Sequence, residues 1–242
     1  MNELRIALLV WFTLGSAAPA LAAPPERFCP SARDAFKSAP IYSTIARRIW
    51  GEIAFTGAND KNCVNPVAFL RYQSGDVFMT SRGDPGVACH ACDTSLSAWF
   101  FAHSPAGPKL VAWDRDFMRA GTFGFAGELK KIRIGGDDGV VLETGGTFQG
   151  ETFVALYVFV FSNGKAILLN KDPIPLSHDN EGANGDQNPE ALIDISGDWK
   201  IDGDELVINY TNRSKGKLEK SRVSWKREGN RLVKITGDPP EP

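Results

Sequence analysis

The sequence predicts a mainly β protein: an antiparallel meander, closed as a barrel or stacked as a sandwich, behind a short N-terminal helical region. Three observations support this. From Val64 onward, short apolar segments are punctuated by turn residues. Helical four-residue spacing of apolar side chains is confined to a stretch near residues 31–57. Nowhere do strand and helix patterns alternate as a doubly wound sheet requires.

The chain opens on a secretory pattern. A single cation, Arg5, precedes the apolar run Ile6 to Leu14, which is followed by the small-residue motif Ala20-Leu21-Ala22. That run is shorter than the roughly 18 residues a membrane-spanning helix needs, and no later run is long enough either. Residues 1–22 are therefore expected to be a signal peptide, with 23–242 as one mature, mainly β domain. Cys29 follows Arg27 and Phe28 rather than the expected cut, which argues against a lipid anchor.

Within the helical region Ser31 is placed to cap a first helix through Phe36, and Pro40 interrupts it. Ile41, Ile45, Ile49 and Ile53 then recur four apart beside Trp50, as a helix packed on a sheet would require. The meander, expected over about 64–236, carries its own hairpin signals. Residues 104–108 separate Leu96 to His103 from Lys109 to Trp113, and Gly135 to Gly139 separates two further strands. Asn163-Gly164 favours the positive φ angles of a type I′ turn between Phe153–Phe161 and Lys165–Leu169. Asp202-Gly203 and Gly229-Asn230 mark two more hairpins. The polar stretch from Pro173 to Pro189 reads as one long irregular loop, bordering any ligand surface.

Composition excludes several classes. With 43% hydrophobic and 23% charged residues the chain is neither disordered nor low in complexity, and a net charge of −2 selects no partner. Charge is unevenly spread: Asp179 to Glu205 is acidic, whereas Arg213 to Lys234 is basic. The basic hairpin around Trp225 is explained by a strand burying Val223 and Trp225 while exposing Arg222, Ser224 and Lys226, so it gives no specific nucleic-acid signal.

The four cysteines carry most of the chemistry. In an oxidising compartment they are expected to pair, Cys29 with Cys63 and Cys89 with Cys92. The motif Cys89-His90-Ala91-Cys92 also fits a thiol-disulfide enzyme, with Cys89 as nucleophile and His90 stabilising its thiolate. Haem attachment is disfavoured because Asp93, not histidine, follows Cys92. Zinc would need further ligands from Cys29, Cys63 or His103, at spacings that match no familiar signature. A third reading is calcium held by Asp179, Glu181, Asp186 and Glu190, although the segment does not follow the EF-hand pattern. Nucleophile elbows, zincin motifs, phosphate loops and dinucleotide fingerprints are absent, so no catalytic residue and no cofactor is expected.

Cys89-His90-Ala91-Cys92, the strand Leu96 to Phe101, the Gln149-Gly150 turn and Asp179-Asn180-Glu181-Gly182 together resemble a group of exported bacterial proteins carrying a C-H-A-C motif. The resemblance covers roughly residues 64–184. It implies a periplasmic or secreted setting, with no assigned activity to transfer. The reading of the whole is an exported, non-catalytic binding or structural domain whose partner is a ligand or envelope component.

Overall fold

The computed structural model describes residues 23–56, 62–85, 88–184 and 191–241. The signal-peptide reading of residues 1–22 lies outside them, as do Asp186 and Glu190. Two helices, α1 (Ala32–Ser38) and α2 (Ile41–Trp50), run into a 3-10 turn at Gly51–Phe55. A four-stranded antiparallel meander follows: β1 (Val64–Arg71), β2 (Asp76–Arg82), β3 (Thr94–Ala102) and β4 (Lys109–Ala120). The second sheet contains β5 (Glu128–Ile134), β6 (Asp137–Phe148), β7 (Glu151–Ser162), β8 (Lys165–Leu168), β9 (Ile174–Asp179), β10 (Asp194–Asp202), β11 (Glu205–Asn212), β12 (Glu219–Glu228) and β13 (Arg231–Thr236). Its order is β13-β12-β11-β10-β9-β7-β6-β5, with β8 also pairing β7. A short helix, α3 (Glu181–Asn184), follows β9.

Stacked layers explain the unbroken apolar runs. A strand covered on one face alternates, whereas a strand covered on both is apolar throughout. On β2 and β3, Phe78, Trp99 and Phe101 pack under the helices with Ile45, Ala46 and Trp50. Met79, Ala98 and Phe100 point the other way, onto Val140, Leu142 and Phe159 of the second sheet. The opposite face of β6 and β7, through Val141, Leu156, Val158 and Val160, packs with Ile195, Leu206, Ile208, Val223 and Trp225. The second sheet thus coils over its own face. Its edge strand β5 approaches β10, where the Gly135 amide donates to the Gly203 carbonyl at 3.1 Å, but no ladder joins the two strands. The sheets are stacked rather than closed into a barrel.

Several local expectations need correction. Ser31 precedes α1 but does not cap it; its hydroxyl donates to Asn65 Oδ1 at 3.1 Å and so ties the helix to β1. Ile53 falls in the 3-10 turn and is 38% exposed, outside the buried stripe. The β5–β6 turn is only Gly135-Gly136, since Asp137 already pairs with Ile134. The largest revision concerns residues 173–189: the first part is β9, inserted between β7 and β10, rather than an irregular loop. Ile174 and Leu176 point inward and are buried, separated by exposed Pro175, so a short amphipathic strand lies within a polar segment. Ser224 is buried rather than exposed, sharing a hydrogen bond with the Thr236 hydroxyl.

Candidate functional site

Both cysteine pairs are disulfides: Cys29–Cys63 and Cys89–Cys92. Their settings differ. Cys29 and Cys63 are buried, while Cys89 is exposed and Cys92 half-buried. The sulfurs of Cys29 and Cys63 cluster with buried Asp84 in a geometry that would otherwise suit a metal. Their bond to each other leaves no thiolate to serve as ligand. His103, the remaining candidate for a further zinc ligand, instead contacts Asp76 at 3.1 Å.

Cys89 to Cys92 forms a tight turn in which the Cys92 amide donates to the Cys89 carbonyl at 3.0 Å. No helix begins there, so the pair lacks the helix-terminus field that activates thioredoxin-type cysteines. The turn instead anchors a second one, Thr122–Phe125. The His90 carbonyl accepts the Phe123 amide at 3.2 Å, and the Cys92 carbonyl accepts the Gly124 amide at 2.8 Å. Phe123 occupies the left-handed region at φ 52°, which costs a bulky residue about 1–3 kcal/mol. The two amide bonds hold it there. Thr122 secures the other side by donating from its hydroxyl to the Gly145 carbonyl at 3.0 Å.

A third turn, at the β6–β7 hairpin, completes the group. Gln149 and Gly150 have φ 51° and 87°, the two positive values of a type I′ turn between Phe148 and Glu151. Any side chain at Gly150 would strike the Gly182 backbone, so glycine lets α3 seat directly on the hairpin. The structure therefore brings together three of the segments noted in the sequence: the C-H-A-C turn, Gln149-Gly150 and Asp179-Asn180-Glu181-Gly182.

Aromatic rings line this end. The His90 imidazole is sandwiched between Phe123, with centroids 4.1 Å apart, and Phe148, at 5.0 Å. Phe148 in turn lies parallel to Phe153 at 6.0 Å. His90 Nε2 contacts the Thr147 carbonyl at 2.8 Å, and because a carbonyl only accepts, that nitrogen carries the proton. The ring is thereby held in the row. The row is open to solvent: Phe123 and Phe153 are each 43% exposed, Phe148 37%, and neighbouring Phe125 63%.

Charge is kept to the margins. Arg119 grips Asp93 through two bonds of 2.9 and 2.5 Å, and this contact holds the Asp93 carboxyl below its usual range. Glu151 lies 3.8 Å from His178. Asp179 pairs with Thr152 across β9 and β7, and its Oδ1 accepts the Glu181 amide at 3.1 Å, so it acts as an oxygen cap for α3. Of the four calcium candidates, only Asp179 and Glu181 fall among the described residues.

Sequence reasoning singled out His90 but missed Phe123, Phe125, Phe148 and Phe153. A signal for three of them was present in two uncharged, glycine-rich stretches, 121–127 with Phe123 and Phe125 and 144–150 with Phe148; Phe153 lies outside both. Among the described residues, no helix is long and apolar enough to cross a membrane. The chain matches no protein-family model, no curated protein and no solved structure in these comparisons.

Proposed function

We propose that this is an exported, non-catalytic binding domain, related to the C-H-A-C group it resembles, and that its ligand face is the aromatic end. The carrying observation is the solvent-open row Phe123–His90–Phe148–Phe153. Apolar patches on a soluble surface are usually kept small unless they bind something. Here the rings are also pre-ordered by a disulfide, a buttressed left-handed phenylalanine and a type I′ turn, which lowers the ordering cost of binding. The two disulfides fit an oxidising, exported setting.

The experiment is co-sedimentation of the purified protein with bacterial cell-envelope material. Saturable binding is expected, with loss in a Phe123→Ser, Phe148→Ser, Phe153→Ser variant that stays folded. Equal binding by that variant contradicts the assignment of the face. The exposure of Cys89 favours one second reading, thiol exchange at Cys89–Cys92. Insulin reduction that disappears in Cys89→Ser would establish it. Calcium binding at 179–190 would appear as a raised melting temperature in added calcium.

A further inference from the structure

The aromatic end has a chemistry that narrows its occupant. Residues 121–127 and 144–150 contain no charged side chain, and the two stretches meet through the bond from Thr122 to Gly145. Phe123 sits in the two-residue turn of the first stretch, Phe148 directly precedes the Gln149-Gly150 turn of the second, and Phe125 is the most exposed of the four phenylalanine rings at 63%. Protein-binding hot spots are built chiefly on tryptophan, tyrosine and arginine. These turns offer none of the three, and the neighbouring Arg119 is already paired with Asp93. What they present is phenyl, methyl and backbone on two hairpin tips, together with the exposed but uncharged Gln149 carboxamide.

We infer that this end docks on a lipid bilayer with zwitterionic headgroups, with Phe123, Phe125 and Phe148 entering the interfacial zone. The inference rests on the aromatic end being the ligand face. Phenyl rings on uncharged turns lose water favourably at the headgroup boundary, and a fluid surface adapts to protruding tips without a preformed partner. Electrostatics selects the headgroup. Glu151 and Glu181 are exposed and Asp179 half-buried beside the row, so its margin is acidic and complements an outward ammonium group. An anionic surface would repel it. The basic strands β12 and β13 are separated from β7 by β9, β10 and β11 in the sheet order.

The test uses vesicles of phosphatidylcholine, alone or mixed with phosphatidylglycerol. Phe125→Trp supplies a fluorescent reporter, and Phe125→Ser is the disrupting variant, since the exposed Phe125 ring stands outside the stacked row. Phe123→Ser with Phe125→Ser is the stronger version, checked for folding by near-ultraviolet circular dichroism. The expected result is binding to phosphatidylcholine vesicles, with blue-shifted emission from the introduced indole that brominated lipid quenches. That binding should weaken by at least about tenfold in the double variant. Adding phosphatidylglycerol should weaken it further. Three results overturn the inference: no vesicle binding while envelope co-sedimentation persists, which leaves the ligand face standing with a different occupant; binding only to anionic vesicles that survives the double variant; or concentration-dependent dimerisation abolished by the double variant without vesicle binding, which assigns the face to a second copy.

Discussion

The His90 imidazole lies against the Phe123 ring, centroids 4.1 Å apart and planes 22° apart, joining a disulfide-closed turn to a turn whose first central residue has a left-handed backbone. Two kinds of contact meet at this imidazole: the stacks on Phe123 and Phe148, and the bond to the Thr147 carbonyl. His90→Ala removes both and should destabilise the fold by about 1–2 kcal/mol in urea unfolding. His90→Phe keeps the stack, loses only a bond to an exposed carbonyl, and should cost less than half as much.

The two disulfides should separate under mild reductant. Cys89 is open to attack, whereas Cys29 and Cys63 are 2% and 0% exposed. Graded thiol alkylation read by mass spectrometry should label Cys89 and Cys92 first. Losing Cys29–Cys63, which closes a 34-residue separation, should cost about 3–4 kcal/mol in the chain-entropy model. Losing the local clip should cost roughly half that. Simultaneous labelling of all four cysteines in the folded protein contradicts the burial difference.

Asn170 repairs a break in the second sheet. Between β8 and β9 its carboxamide accepts the Val158 amide at 2.7 Å and donates to the Leu156 carbonyl at 3.0 Å, replacing a missing stretch of ladder. Asn170→Asp places a carboxylate against that carbonyl in a site only 8% exposed. The expected loss is about 2–4 kcal/mol near neutral pH, partly recovered in acid as the carboxyl regains a proton to donate.

Tyr72 and Tyr210 should resist ionisation. Burial raises both phenols above their ordinary 10.0, and their hydroxyls donate to the carbonyls of Gly139 and Pro175. For a group whose folded pKa is raised, the stabilisation is full below the unfolded value and is lost as pH climbs through the folded one. Stability should therefore fall above about pH 10, and tyrosinate absorbance from these two residues should appear only with unfolding. Tyr72→Phe and Tyr210→Phe should flatten that alkaline decline.

The sequence was most informative where a residue's local chemistry has few solutions. Asn163-Gly164 and Gly229-Asn230 form two-residue hairpins because the backbone there must take positive φ, at 51° and 70° for the first and 60° for Gly229. The four-residue spacing of Ile41, Ile45 and Ile49 likewise declared α2. It was least informative where partners are distant. β9 shows only Ile174 and Leu176 as its apolar signal, and its place between β7 and β10 depends on strands on either side. The aromatic row is the same kind of feature. His90 and Phe123 come from two separate turns, Phe148 from the end of β6 and Phe153 from β7, so no periodicity links the four before the chain folds.

The central claim is that these rings are the surface the ligand covers. Hydroxyl-radical footprinting, with and without bacterial cell-envelope material, measures this most directly, because phenyl oxidation reports solvent access ring by ring. Phe123, Phe125, Phe148 and Phe153 should be oxidised readily in the isolated protein and protected once it is bound, while the reactivity of half-buried Trp113, on β4, is unchanged. Rings already unreactive in isolation, or protection that leaves these four untouched, would contradict it.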